Sequence, residues 1–291
     1  MRFAIHGRKT NEGSLNCIQH VLVELNRKQA SVIISDTLQS HLSDASISHP
    51  AELVYSSQTG VPDVDFVISI GGDGTLLETV THVRKKEIPI LGINVGRLGF
   101  LATVSQDQIA TAISALFQNQ YSYDHRALVE VQGTEEIPSD LNFALNELTV
   151  IKKDTSTMIV AHAYLDDRYL NSYWADGLII STPTGSTGYS LSCGGPVASP
   201  QSSNLIITPI SPHNLTVRPL VVSDQSQISI QVESRSDSYL IALDSRSYGI
   251  SSETSFQIRK APFQVKLVKF KGDDFLETLR QKLNWGLDVR N

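Results

Sequence analysis

Cysteine is nearly missing from this chain: Cys17 and Cys193 stand far apart, with no C-x-x-C pair and no Cys/His metal spacing. That excludes a disulfide framework and a cysteine-built zinc site, and it fits a reducing compartment. No block of basic residues occurs and the formal net charge is −6, so neither nucleic acid nor a membrane surface is an expected partner. No apolar run approaches membrane-spanning length, and Phe3, Ala4 and Ile5 are the only apolar residues between Arg2 and His6, far short of a signal core. A soluble, cytoplasmic protein is expected. The eight histidines are scattered, without H-E-x-x-H or paired ligand spacing, and none is assigned to a metal. The Walker A pattern G-x-x-x-x-G-K-[ST] and the G-x-S-x-G elbow of hydrolases are also absent.

What is present is an ordinary globular composition, 41% hydrophobic and 19% charged over 291 residues, a length for which two domains are expected. One stretch stands out, Ser69 to Leu77, S-I-G-G-D-G-T-L-L. Before it, D-F-V-I-S-I reads as a buried strand; after it, Leu76, Leu77, Val80 and Val83 recur at helical spacing. Glycines 71, 72 and 74 permit positive φ and close backbone approach, so main-chain N–H groups at a helix start can face a polyphosphate. A carboxylate in such an anion seat is unfavourable unless it holds a cation or takes a proton, which points Asp73 to phosphoryl transfer. The competing reading is a tight turn in which Asp73 caps the helix. The dehydrogenase fingerprint fails because Leu77 stands where its third glycine is needed.

Element types alternate over residues 1–120. Strands are expected at 3–5, 32–34, 65–70 and 88–93, with helix stripes at Leu15, Ile18, Val21, Leu22 and Leu25 and at Ile109, Ile113, Leu116 and Phe117. This predicts a Rossmann-like parallel sheet with its site at the carboxyl ends of the strands, where Asp73 and the glycine-rich wall Gly92 to Leu101 both fall. From 121 to 270 short alternating strands follow, at 127–131, 148–151, 158–165, 178–181, 205–208, 228–232, 239–243, 256–258 and 263–268. That is the pattern of an all-β, sandwich-like second domain. Phe275, Leu276, Leu279 and Leu283 return to helix spacing, and the segment 271–291 is expected to pack back on the first domain.

Two further constellations carry polar groups. Ala175 to Pro196, A-D-G-L-I-I-S-T-P-T-G-S-T-G-Y-S-L-S-C-G-G-P, offers many donors and acceptors with little bulk, suited to wrapping a ribose or a base edge, and Tyr189 adds a flat stacking surface. Asn146 and Glu147 open a strand, and Asp176 stands between Ala175 and Gly177; alone, neither feature is diagnostic.

Taken together, GGDGT at 71–75, NE at 146–147 and DGLIISTPTGSTGYSLSCGGP at 176–196 resemble the ATP-NAD kinase family over nearly the whole chain. The resemblance implies transfer of the γ-phosphoryl group of ATP to the 2′-hydroxyl of the adenosine ribose of NAD, with a divalent ion, Mg²⁺, as cofactor and a homotetramer as the assembly. It makes Asp73 the proton acceptor, with Gly74 beside it and Phe100 touching the dinucleotide. Asn146 is implied on the adenine, Glu147 on the ribose hydroxyls, and Asp176 on the nicotinamide side from a neighbouring subunit. Thr184, Thr187, Gly188, Tyr189, Ser190, Leu191 and Ser192 are implied in the adenosine pocket, and Asp244, Ser245 and Arg246 in a region closing the site. Trp174 stands where many bacterial members carry arginine, which bears on the choice between NAD and NADH, and Gly188 replaces a common alanine. Three readings compete: a diacylglycerol-type lipid kinase, a dinucleotide sensor without chemistry, and a nicotinamide-dependent dehydrogenase. The hydroxyl-rich pocket, the retained Asp73 and the failed fingerprint argue against them in turn.

Overall fold

The structure, a computed structural model, describes all residues except 9–11, 48, 50, 52, 97, 98, 154–157, 253 and 286–291. It divides into two compact units: Met1–His125 with Val265–Asn291, and Arg126–Gln264. The first unit is therefore discontinuous in sequence, with the second inserted into it. Among the described residues no helix is long and apolar enough to cross a membrane.

In chain order the first unit begins with β1 (Arg2–Gly7), α1 (Glu12–Arg27), β2 (Ser31–Ser35), α2 (Asp36–Asp44) and β3 (Leu53–Tyr55). It continues with β4 (Phe66–Gly71), α3 (Asp73–Val83), β5 (Ile90–Asn94) and α4 (Ile109–Phe117). The strands pair in parallel in the order β3-β2-β1-β4-β5. The order reverses at β1, so the crevice at the carboxyl ends of β1 and β4 is the switch point where such sheets take ligands. All six residues of β4 are buried, as a strand covered by helices on both faces requires. Phe3 stacks on Phe66 at 5.8 Å between centroids, and the apolar stripe of α1, Ile18, Val21, Leu22 and Leu25, buries against this core.

The second unit holds β6 (Ser122–Gln132, which starts within the first unit), β7 (Phe143–Ala144), β8 (Glu147–Ile151), β9 (Ile159–Leu165), β10 (Arg168–Ala175) and β11 (Gly177–Ser181). The short helix α5 (Tyr189–Ser192) precedes β12 (Asn204–Ile210), β13 (Leu220–Ser223), β14 (Ile228–Glu233), β15 (Ser238–Leu243) and β16 (Arg246–Ser251). One antiparallel sheet runs β13-β12-β11-β8-β15-β16, and β10, β9 and β14 belong to another. Alternation makes the core between them. Ile228, Ile230 and Val232 of β14 are buried while Gln231 and Glu233 are exposed, and each fully buried aliphatic side chain is worth about 1.5–3 kcal/mol.

The structure corrects several expected boundaries. The strands expected at 256–258 and 263–268 are one strand, β17 (Ser255–Lys269), which passes through Pro262. Its early residues pair with β14 in the second unit and Leu267 pairs with Ile90 in the first. Polar sequences hid α2, β10 and β16. The helix α2 is started by Ser35, whose hydroxyl accepts the Leu38 N–H at 3.2 Å. A last helix, α6 (Phe275–Leu283), is capped by Asp274, which accepts the Leu276 N–H at 2.9 Å.

Candidate active site

In the first unit the apolar run of β4 ends at Gly71, and α3 begins two residues later with Asp73. Of the three glycines of this turn only Gly71 takes a positive φ, 159°; Gly72 and Gly74 do not use that freedom. A Cβ on Gly71 would sit 2.2 Å from the Thr75 hydroxyl, whereas Cβ atoms on Gly72 and Gly74 would meet nothing within 4 Å. The backbone over the helix start is thus open to a ligand. Gly72, the N-cap, has no side chain with which to cap the helix, which leaves first-turn N–H groups to an anion.

Asp73 does not cap its own helix. Its carboxylate accepts three consecutive backbone N–H groups, with Phe100 N at 2.8 Å from Oδ2 and Leu101 N and Ala102 N at 3.0 and 3.2 Å from Oδ1. Three of roughly four acceptor directions of a carboxylate are thereby used, leaving about one. Gly99 makes this closure possible, because a Cβ there would lie 2.1 Å from Asp73 Oδ1. Phe100 packs against Phe275 at 6.4 Å, and the Lys282 ammonium lies 5.8 Å from its ring. Arg97 and Leu98 of the glycine-rich wall lie outside the described residues.

In the second unit Asn146 and Glu147 stand at the start of β8, and a second aspartate fixes them. Asp244, at φ 53° in the turn between β15 and β16, accepts Leu145 N at 2.9 Å and Asn146 N and Glu147 N at 2.8 and 3.3 Å. A lone Asp in a hairpin turn gives no signal for this in sequence. Gly185 is held tightly, since a Cβ would come 2.1 Å from the Asn146 carbonyl oxygen. Gly188 stands over the same pair, its Cβ position 3.1 Å from Glu147 Oε2 and 3.8 Å from Asn146 Nδ2. Glu147 Oε2 is buried without a hydrogen-bond partner. Burial first, and then the charge of Asp244, push the Glu147 carboxyl up to about 8, with the Tyr189 amide working the other way. Burial raises Asp244 as well, opposed by its backbone N–H partners and by Arg246. With three N–H donors on Asp244, Glu147 is the member of the pair that holds a proton.

The hydroxyls of the small-residue segment divide into two groups. Thr182 Oγ1 donates to Leu145 O at 2.6 Å, Ser186 Oγ donates to Pro183 O at 2.7 Å, and fully buried Ser190 pairs with Thr208 at 2.9 Å. Thr184 is buried and accepts from Arg126 Nη1 at 3.1 Å. These side chains build the loop. Tyr189, by contrast, is 39% exposed, and Ser192 is exposed beside half-buried Leu191. Thr187 donates to the Thr184 carbonyl at 3.4 Å. Asp176 is paired with Lys152 at 2.6 Å, and Trp174 lies half exposed on β10. Arg246 donates to the carbonyls of Leu141 and Phe143, and its guanidinium lies over the Phe143 ring. It braces the strand entering Asn146.

Along the chain, an α/β unit with a glycine turn and one pinned aspartate is followed by a β unit with a hydroxyl-rich loop, and each matches a known family. The ATP-NAD kinase N-terminal domain matches residues 9–121 and the ATP-NAD kinase C-terminal domain matches residues 145–270. The NAD kinase of Cytophaga hutchinsonii is 46% identical over the full length of both chains, and that of Bacteroides fragilis 40%, again over both full lengths. A yeast NADH kinase solved with NADH superposes with a TM-score of 0.88 at 22% identity, covering 100% of this chain and 89% of the other, and shares the fold. An NAD kinase from Archaeoglobus fulgidus solved with ATP gives 0.75 at 26% identity, covering 98% and 99%. The chain belongs to the ATP-NAD kinase family.

Two outcomes follow from this geometry. Gly99→Ala forces Asp73 off its N–H donors, and turnover is expected to fall by about 100-fold, the loss that a displacement of roughly 1 Å can bring, while circular dichroism still shows a folded chain. For Glu147, a folded-state value of about 8 against an ordinary 4.5 means the fold keeps a proton that the unfolded chain releases. Its contribution to stability is therefore present below about pH 4.5 and is lost as pH rises towards about 8. Urea midpoints between about pH 5 and 8 should fall more steeply in the wild type than in Glu147→Gln.

Proposed function

We propose that this chain transfers the γ-phosphoryl group of ATP to the 2′-hydroxyl of the adenosine ribose of NAD, giving NADP and ADP, with Asp73 as the proton acceptor. The observation that carries the reading is the carboxylate of Asp73, held by three backbone N–H groups with about one acceptor direction left, beside a glycine turn open to phosphates. A carboxylate in that setting orients an attacking hydroxyl and takes its proton late in a loose transition state. Full-length relatedness to NAD kinases supplies the substrates.

On the dinucleotide, Glu147 serves the ribose diol, since its buried Oε2 lacks a partner, and Asn146 beside it serves the adenine. Tyr189 stacks through its exposed face, with Gly188, Leu191 and Ser192 alongside; Thr184, Thr187 and Ser190 shape the wall from behind. Phe100 and Gly74 contribute from the aspartate side. Arg246 acts through the strand it braces. Asp176 and Trp174 serve the nicotinamide end, Asp176 in a neighbouring subunit of a homotetramer; the family resemblance carries the assembly and a place in NADP biosynthesis, and the sparse, unpaired cysteines carry the cytoplasmic setting.

For the divalent ion the donor chemistry fits Mg²⁺ carried mainly by the polyphosphate and water, because Asp73 is the one carboxylate among the described residues of the turn and most of its lone pairs are taken. When bound, such an ion neutralises phosphate charge. The chain's own part is to present N–H groups, hold the hydroxyl and accept its proton.

The test is NADP formation from NAD, ATP and Mg²⁺, read through an NADP-specific dehydrogenase. Asp73→Asn keeps at most two of the three N–H bonds, since its NH₂ cannot accept. It is expected to fold with a slightly lower melting midpoint, to bind NAD, and to lose about 10²–10⁴-fold in kcat. Unchanged kcat would remove Asp73 from the acceptor role. No NADP from the wild type, despite calorimetric NAD binding and trials with NADH and polyphosphate, would make the chain a dinucleotide sensor.

A further inference from the structure

His6 is remote in sequence from Glu78 and His82 but meets them in the first unit, with one candidate ligand atom from each lying within 4.8 Å of the others. His6 is the next-to-last residue of β1, and Glu78 and His82 share one face of α3 at i, i+4 spacing. Both histidines are buried, at 0% and 2% exposure. Both ring nitrogens of buried His82 are without a hydrogen-bond partner among the described residues, a costly state for polar atoms in a core, and they lie beside the ion pair of His6 and Glu78.

His6 Nε2 and Arg8 Nε both approach Glu78 Oε2, at 3.0 and 2.5 Å, so the carboxylate already faces cation-like groups. His6 Nδ1 is engaged with the Ser35 hydroxyl at 3.0 Å. In the tautomer that donates Nδ1–H to Ser35, Nε2 offers its lone pair to a cation shared with the carboxylate, and an outer hydrogen bond of that kind is the usual support of a metal-bound imidazole. We propose that His6 Nε2, the Glu78 carboxylate and one ring nitrogen of His82 bind a divalent ion of zinc's class, separate from the Mg²⁺ that accompanies ATP. Two imidazoles and a carboxylate form the donor set of three-ligand zinc sites with an open fourth position, and they suit Mg²⁺ or Ca²⁺ poorly. Bonds of about 2.0–2.2 Å hold tetrahedral ligand atoms about 3.3–3.6 Å apart, so binding draws the three groups closer than the 4.8 Å within which they now lie.

The ion has a way in. Arg8, 56% exposed, lies with Nε 2.5 Å from Glu78 Oε2 and acts as a displaceable stand-in for the cation. Once bound, the ion clips β1 to the middle of α3, the helix that begins with Asp73. Glu78 lies five residues beyond Asp73, about 7.5 Å along the axis, so the site supports the helix without sharing the reacting atoms.

The experiment titrates chelator-treated full-length chain with Zn²⁺ alone by calorimetry, with Co²⁺ as a visible-absorption probe and Mg²⁺ for comparison. One Zn²⁺ per chain is expected, with a raised thermal midpoint and no Mg²⁺ competition. His82→Gln and Glu78→Gln should each weaken Zn²⁺ by at least about tenfold, whereas Arg8→Ala, by freeing Glu78, should tighten it. Absence of saturable Zn²⁺ binding by the wild type overturns the proposal. So does affinity unchanged in both glutamine variants, which would place the ion elsewhere. Should the glutamine variants fail to fold, Arg8→Ala decides, and no tightening in it overturns the site.

Discussion

In each unit one aspartate carboxylate collects three consecutive backbone N–H groups, and the residues proposed for chemistry and binding stand where those contacts put them. Asp73 gathers the N–H groups of residues 100–102 and Asp244 those of 145–147. Charge-assisted bonds of this kind are about twice as strong as neutral ones, and three on one group fix the backbone they gather. Glycine at 99 and at 185 is what lets the backbone come this close, because a Cβ at either would overlap its neighbour at 2.1 Å. The two aspartates differ in what remains. Asp73 borders an open turn, whereas Asp244 stands in a hairpin turn and works through the pair it positions.

Much of this was legible in the sequence. The strand, glycine turn and helix around Asp73 combine a β-branched run, small residues and a 3.6-residue stripe, three independent signals that agree. The alternation of β14 and of the later part of β17, F-Q-V-K-L-V, is equally plain. What stayed hidden had physical reasons. Edge strands such as β10 and β16 bury few side chains and carry polar sequence, so periodicity says little about them. The strand β17 contains Pro262, which argues against a continuous strand, yet the chain passes through it while its pairing partner changes from β14 to β5. The helix α2 is short and polar and rests on the Ser35 cap.

The sequence shows which segments carry polar groups; what each group does is seen only in the fold. A segment rich in serine and threonine reads as a ligand surface, but the hydroxyls of Thr182, Ser186 and Ser190 are spent on the chain itself. Nothing in the spacing separates a hydroxyl that meets solvent from one that holds a loop. Arg246 is similar: its guanidinium bonds two carbonyls and covers a ring, a role that only the fold reveals. The histidines are the opposite case. They look scattered along the chain, and β1 and α3 bring two of them together.

The insertion of the second unit into the first also orders events in time. A ribosome releases residues 126–264 before the last strand segment and helix of the first unit exist. The inserted unit therefore has its whole sequence available while the parallel sheet still has an open edge at β5, awaiting Leu267. Unpaired parallel edges are slow to form and prone to join the wrong partner. The nascent chain is thus most exposed to misassembly late in synthesis, and its vulnerable surface is the half that carries Asp73.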